Sequence, residues 1–358
     1  MATFDVLVRR LTRVEPHPNA DRLELAVVDG YRAVVAKGQF QGGDLIAYIP
    51  EAAVLPAPLS DRLGLTGKLA GPEQNRVHAV KLRGALSQGV VMAADAHWQE
   101  GQSVMAELGI TKFTPAIPTE LEGVVYPLER EEGLSFDVED IKAYPQVLRV
   151  GEEVTLTEKI HGVFLAVGAA PAGAERADCG HHQGRAWVSS KGLLASRLAF
   201  DHRSEEAPNV YLRTAVRLNL YAAAMQLADE TGHQVFLLGE AFGKGVQDLG
   251  YGSTAGEPQF RAFSVVVNGR FLSDEDLEAT LARLGLTRAT VLYRGPFSPE
   301  VTLAFTNGQE SVSGQGLHLR EGVVITPVIE RDDPFAGRVC LKSVSEAYLL
   351  RKGGTEYS

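Results

Sequence analysis

The run TLTEKIHGVFLAVG (155–168) sets one ammonium, Lys159, and one imidazole, His161, among residues suited to an apolar strand. A free lysine has a pKa near ~10.4 and is protonated at neutral pH, so it becomes a nucleophile only where its charged form is disfavoured. Ile160, Val163, Phe164 and Leu165 can do this by taking the amine out of water, each unit of depression corresponding to about 1.4 kcal/mol. Gly162 offers a position without a β-carbon where a ligand must come close. The alternative is a half-buried strand whose ammonium reaches back to solvent.

A lysine three residues before a glycine arises by chance roughly once or twice in a chain of this length. More informative is the ordered series that follows: VSSKGLLA (188–195), FLLGEAFGKGVQDLGYG (236–252), FRAFSVVV (260–267), REGVVITP (320–327) and RVCLKSVSEAYLLRKGG (338–354). This series resembles the covalent nucleotidyltransferase superfamily of polynucleotide ligases and capping enzymes. KIHG in place of the commoner KxDG is similar to the RNA ligase 2-like branch. With a β-rich module placed first, the likeness is to the Deinococcus-type RNA ligases that seal 3′-OH/5′-phosphate nicks.

The resemblance implies an ATP-dependent enzyme requiring Mg²⁺ or Mn²⁺. It would move AMP onto Lys159, then to a 5′-phosphate, and release it when a 3′-hydroxyl attacks. It implies that Glu158 reads the adenine amine through the backbone carbonyl beside the nucleophile, and that His161 contacts a phosphate or orients a leaving group. Lys191 would lie near the sugar and phosphate. Glu240 would accept from a ribose hydroxyl, Phe263 would stack on the base, Glu321 would be the metal-associated carboxylate, and Lys342 would hold the α-phosphate. Two departures bear on the phosphate contacts: Cys340 replaces the first of two expected lysines, with Arg338 as its nearest basic neighbour, and Thr326 stands where relatives often carry a basic residue. The expected substrates are nicked or broken RNA and RNA/DNA duplexes, handled by a monomer. The rival readings are a GTP-dependent capping enzyme and a non-catalytic RNA-binding protein.

These side chains need elements to position them. From Phe4 to about Ala94 short strands alternate with turns, and Asp29-Gly30 between two β-rich runs predicts a hairpin with positive φ at both central residues. Five or so such strands suit an OB-like β-barrel. HPNADRLELAVVDG (17–30) and LRGALSQGVVMA (82–93) resemble tRNA-binding OB modules, which implies nucleic-acid contact through Arg76, Lys81 and Arg83. Solvated edge charges are the alternative. Tyr31, Phe40 and Tyr48 are the aromatics available for stacking.

The fold class is therefore α+β: an OB-like module over 1–110, a proline-rich, acidic linker over 111–149, and a nucleotidyltransferase domain of antiparallel sheets with flanking helices over 150–358. Helical spacing runs from Asn209 to a stop at Gly232, and Ser273–Asp276 reads as an N-cap before a helix ending near Gly285.

Composition narrows the rest. With 35 Lys plus Arg against 45 Asp plus Glu, the net charge of -10 excludes a chain that coats polyanions over its whole surface. Two cysteines, Cys179 and Cys340, give no disulfide framework, which points to the cytoplasm, and no apolar run is long enough for a membrane span. PAGAERADCGHHQGR (171–185) is expected to be a hairpin tip, with a metal site at Cys179, His181 and His182 as the alternative, and KGVQDLGYG lacks the ending of a Walker site.

Overall fold

A computed structural model describes residues 4–114, 121–176, 180–203, 209–254, 257–351 and 354. The chain divides into two compact units, one chiefly of residues 2–114 with 139–146, the other chiefly of 115–138 with 147–358. The stretch expected to link them is thus shared between the two; its residues 115–120 lie outside the described residues.

The first unit is the β-rich module. Strands Leu7–Arg10, Leu45–Ile49 and Val90–Ala93 form one antiparallel sheet, and Arg13–Pro16, Leu23–Val28 and Tyr31–Ala36 form another. Ile46 and Val91 are buried with Ala26, Val28, Ala33 and Val35 of the second sheet, while Val8 and Ile49, on the opposite face by strand alternation, are buried in a separate cluster with Ala47, Leu55 and Leu59. The Asp29-Gly30 hairpin forms with Val28 paired to Tyr31. Only Asp29 has positive φ (52°), however. Gly30 is needed for a different reason: a β-carbon there would lie 2.6 Å from the Lys142 Cα, and its N–H donates to the Lys142 carbonyl at 2.9 Å.

Among its described residues the second unit holds two main antiparallel sheets and a short two-stranded one, Asp332–Asp333 with Gly337–Arg338. Its strands in the two main sheets are β1 (Val125–Pro127), β2 (Glu153–Lys159), β3 (Val163–Ala169), β4 (Ala186–Ser189), β5 (Leu198–Phe200), β6 (Val235–Phe242), β7 (Gln259–Val267), β8 (Arg270–Phe271), β9 (Val291–Pro296), β10 (Gly322–Pro327) and β11 (Leu341–Val344). The larger sheet runs β1-β5-β4-β3-β6-β7-β8, and in the other β11, β10, β2 and β9 are neighbours in that order. Helices α1 (Lys191–Ala195), α2 (Val210–Arg217), α3 (Leu220–Thr231), α4 (Asp274–Arg283), α5 (Pro299–Thr306) and α6 (Glu346–Leu349) complete the unit.

The expected helix over 209–232 is two helices. Asn219 takes a left-handed conformation (φ 55°) and breaks it, and Gly232 ends the second half with φ 68°. Ser273 is the N-cap of α4, but its hydroxyl donates to the Asp276 carboxylate at 2.9 Å and caps no backbone N–H.

One face of the larger sheet, with Leu165, Val167, Leu237 and Val265, buries against Tyr211, Leu212, Leu220, Leu227 and Leu281 from α2, α3 and α4. The opposite face carries Phe164, Leu238, Val266 and Phe263.

Candidate active site

Lys159 is the last residue of β2 and Val163 the first of β3, so three residues, Ile160, His161 and Gly162, carry the chain from one sheet to the other. Ala at 162 would put its β-carbon 2.3 Å from the Ala241 carbonyl oxygen and 2.8 Å from the Glu240 Cγ. Gly162 thus serves the approach of β6, a role the sequence did not suggest. That approach is what brings Glu240 into the neighbourhood of Lys159.

The Lys159 ammonium contacts the Glu321 carboxylate at 2.5 Å, with the lysine side chain 27% and the glutamate 7% exposed. Glu321 immediately precedes β10, whose Gly322 is the register partner of Lys159. A β-carbon on Gly322 would fall 2.1 Å from the Ser343 carbonyl oxygen, so that glycine lets β11 close on the same edge. Lys342 pairs with Val324, which pairs with Thr157. Counting residues in twos from Thr157 to Lys159 places both lysines on one face of the sheet.

Glu240 is paired with Phe164 on one side and Arg261 on the other. Removal from water pushes its carboxyl up to about 8, the Lys159 charge opposing this and Glu321 adding to it. Lys191 opens α1 behind the N-cap Ser190, stands 3.5 Å from Asp137, and adds a weaker charge effect on Glu240.

Phe263 reaches this face by a bulge. Leu238 pairs with Ser264 and Gly239 with Ala262, leaving Phe263 as the extra residue. Its ring lies 5.9 Å from that of Phe164. Gly239 permits the bulge, since a β-carbon there would lie 2.4 Å from the Arg261 carbonyl oxygen.

His161 is buried and fully engaged. Its Nε2 is 2.7 Å from Asp248 Oδ1, and the Tyr348 hydroxyl is 2.7 Å from its Nδ1. Burial brings the imidazole down to about 4, the hydrogen bond to Asp248 opposing that and the Arg351 charge reinforcing it. At neutral pH it is uncharged, so Nε2–H donates to Asp248 and Nδ1 accepts from Tyr348. Arg351 reaches Asp248 at 3.2 Å, and the Tyr251 hydroxyl accepts the His161 backbone N–H at 2.7 Å.

The Glu158 side chain points to the other face, where the Ser311 N–H donates to it at 2.9 Å and Arg320 stands 3.7 Å away. Burial raises its carboxyl despite those bonds.

Tyr251, Asp248, Tyr348, Arg351 and Ser311 were not singled out from sequence. Four of them lie inside segments chosen for other residues, and only their contacts with His161, Asp248 and Glu158 reveal them. Arg338, the basic neighbour of buried Cys340, is committed elsewhere: it pairs with Glu330 at 2.5 Å and covers the Phe271 ring at 3.8 Å.

Cys179 lies outside the described residues. His181 is buried against Glu132 at 3.1 Å, and His182 lies 2.9 Å from His202. Among the described residues no group of three or more His, Cys, Asp and Glu is arranged to hold a metal. Nor is any helix among them long and apolar enough to cross a membrane.

In the first unit, Lys81 and Arg83 are exposed on the hairpin Val80–Ser87. His17 Nε2–H donates to the Leu82 carbonyl at 3.1 Å and Asn19 Nδ2 to that of Arg83 at 3.1 Å, so the HPN triplet fixes this tip. The Arg76 guanidinium covers the Phe113 ring at 4.2 Å. Phe40 is core, while Tyr31 and Tyr48 stack on one another at 5.3 Å beneath Lys142.

A search of curated proteins finds no match. Solved structures of one enzyme share the fold over almost the whole chain. The Naegleria gruberi RNA ligase with PPi is 22% identical with a TM-score of 0.78, over 97% of this chain and 98% of that one. A lysine-to-alanine variant of that enzyme with ATP and Mn is 21% identical with a TM-score of 0.75, over 96% and 98%. A glutamate-to-alanine variant with AMP and Mn is 21% identical with a TM-score of 0.76, over 97% and 98%. An OB-fold domain family matches residues 5–94. The RNA ligase family model matches residues 152–344, more than half of the chain and the whole stretch from before Lys159 to beyond Lys342, so this protein belongs to the RNA ligase family and is a polynucleotide ligase.

Proposed function

We propose that the chain is an ATP-dependent RNA ligase that joins 3′-OH and 5′-phosphate ends, with nicked duplexes as the preferred substrate, through a lysyl-AMP intermediate. The observation that carries this is the half-buried Lys159 amine in contact with Glu321 and close enough to Glu240 to be the chief charge opposing that carboxyl's upward shift. Lys159 Nζ attacks the α-phosphorus of ATP and pyrophosphate leaves. Glu321 is the base nearest the ammonium proton. A 5′-phosphate oxygen then displaces the lysine, and a 3′-hydroxyl finally displaces AMP.

Glu240 accepts from a ribose hydroxyl, Phe263 stacks on adenine, and Lys191 and Lys342 receive the phosphates. Glu158 contributes only its backbone beside Lys159, because its carboxylate is held by Ser311. His161 positions the strand end through Asp248 and Tyr348.

Glu240, whose carboxyl burial pushes up to about 8 with a smaller contribution from Glu321, and Glu321 itself are hard oxygen donors that suit Mg²⁺ or Mn²⁺. When bound at Glu321, such an ion would offset charge on the phosphate oxygens. The relatives solved with ATP and Mn support this choice. Lys81 and Arg83, exposed on a fixed hairpin tip, with Arg76, supply phosphate contacts in the OB unit.

Incubation with radiolabelled ATP or GTP and either metal tests the reading. An acid-labile adduct from ATP, absent in Lys159→Ala, is expected. An adduct from GTP alone, or none, rejects it. Nicked duplexes carrying ribose or deoxyribose at the 3′-OH then define the substrate.

A further inference from the structure

Most partly buried arginines of the catalytic unit are matched to an acid. Arg288 has Asp274, Arg320 has Glu158, Arg331 has Glu152, Arg338 has Glu330 and Arg351 has Asp248. Arg261 differs. It is half-buried on β7, its one hydrogen bond among the described residues is a long one (3.3 Å) to the carbonyl of Phe260, and no carboxylate among them forms an ion pair with it. Burial lowers its pKa with no opposing acid. Its guanidinium stands 5.7 Å from the centre of the Phe242 ring, and a cation taken from water with no acid to pair it is unfavourable unless something else supplies the anion.

Arg261 lines a cavity of about 320 Å³ with the Ser253 and Thr254 hydroxyls, the Gln259 side chain and the aromatic wall of Phe242 and Tyr251. The single acid in that lining, Glu257, is turned to Arg217 at 3.4 Å and is mostly exposed. The cavity adjoins the active site at two points: Arg261 is the register partner of Glu240, and Tyr251 holds the His161 backbone.

We propose that this cavity is a second anion subsite in which Arg261, flanked by Ser253, Thr254 and Gln259, binds a phosphate group. The guanidinium and the Thr254 hydroxyl offer donors to phosphate oxygens, whereas the Ser253 hydroxyl, which donates to the Gly250 carbonyl at 2.8 Å and accepts the Lys244 N–H at 2.7 Å, shapes the wall. Two sources can deliver the group: the pyrophosphate portion of the nucleotide, or the backbone of the polynucleotide. Only the choice between these rests on the adenylyl-transfer reading; the anion site itself does not.

The test is calorimetric titration without turnover, using inorganic pyrophosphate and, separately, a short single-stranded RNA with a 5′-hydroxyl. Loss of a charge-assisted pair predicts that Arg261→Gln weakens at least one probe by about ten- to a hundredfold, with Arg261→Lys recovering part of it. Weakening of pyrophosphate assigns the nucleotide source; weakening of RNA assigns the polynucleotide. Thermal melting gives the second readout: removing an uncompensated cation leaves the melting temperature unchanged or raises it, unlike removal of a paired arginine. Equal affinity of variant and wild type for both probes, binding of neither probe by the wild type, or a lowered melting temperature with unchanged binding overturns the site. Absence of a lysyl adduct in the wild type would instead reject the ligase reading and leave this titration intact.

Discussion

Gly162→Ala separates folding from catalysis in this chain. The new methyl would sit 2.3 Å from the Ala241 carbonyl oxygen, 2.8 Å from Glu240 Cγ and 2.9 Å from Phe242 Cβ. An ordinary carbon–oxygen contact is longer by about 1 Å, and two of these three atoms belong to strand backbone or a side-chain root, so β6 itself must give way. Overpacking of this kind costs about 1–3 kcal/mol. Gly162 does not have positive φ, so alanine fits its backbone and recovers about 0.4–1 kcal/mol by restricting the unfolded chain. The net stability loss is therefore small, on the order of 1–2 kcal/mol. Displacing Glu240 by about 1 Å from Lys159 is far more serious for the reaction, worth about a hundredfold. Lysyl-adduct formation from radiolabelled ATP, followed over time beside urea unfolding, measures both. A variant that forms the adduct within about threefold of the wild-type rate would refute the view that this glycine sets the Lys159–Glu240 geometry.

Two further outcomes follow from the same geometry. His161→Asp, which restores the commoner tetrad, is expected to be harmful here: it places a carboxylate beside Asp248 and Glu321 and removes two hydrogen bonds, costing on the order of 3 kcal/mol. Asp248→Asn should relieve part of that loss in the double variant, and strictly additive unfolding energies would count against the network. For Glu132, burial alone would raise the carboxyl, but hydrogen bonds from His181, the Glu129 N–H and Arg176 win and bring it down to about 2. A depressed carboxyl contributes stability above pH 4.5 that is lost as pH falls toward 2, here about 3 kcal/mol. Unfolding across that range should show the difference between wild type and Glu132→Gln shrinking by about that amount; a constant difference would show that the carboxylate is not so held.

Legibility in the sequence followed the kind of information involved. Strand alternation marked both β-rich regions, and Lys159 stood out as an ammonium in an apolar run, while Glu240, Glu321 and Lys342 were reached through the resemblance of their motifs to a known family. Positions that depend on a partner remote in sequence were not readable. The break at Asn219 is a backbone choice that helical spacing on both sides conceals. Phe263 was chosen as a stacking residue, yet the bulge that aims it exists only because Gly239 on another strand lets β7 come close. Gly30 and Gly162 were both assigned local reasons, a turn and a ligand, where the structure shows distant backbone pressed against them.

The glycines also set the geometry that brings the charged groups together. Lys159 and Glu240 lie on different sheets, and Glu321 opens a third strand, so nothing in any one segment fixes their separation. It is fixed by contacts in which a missing β-carbon sets how near two strands come: 162 against β6, 239 against β7, 322 against β11. Apolar residues elsewhere can exchange with one another if volume is kept. A side chain at any of these three positions acts on the spacing of the charged groups directly, because the atoms it meets include backbone oxygens held in a ladder and unable to rotate away.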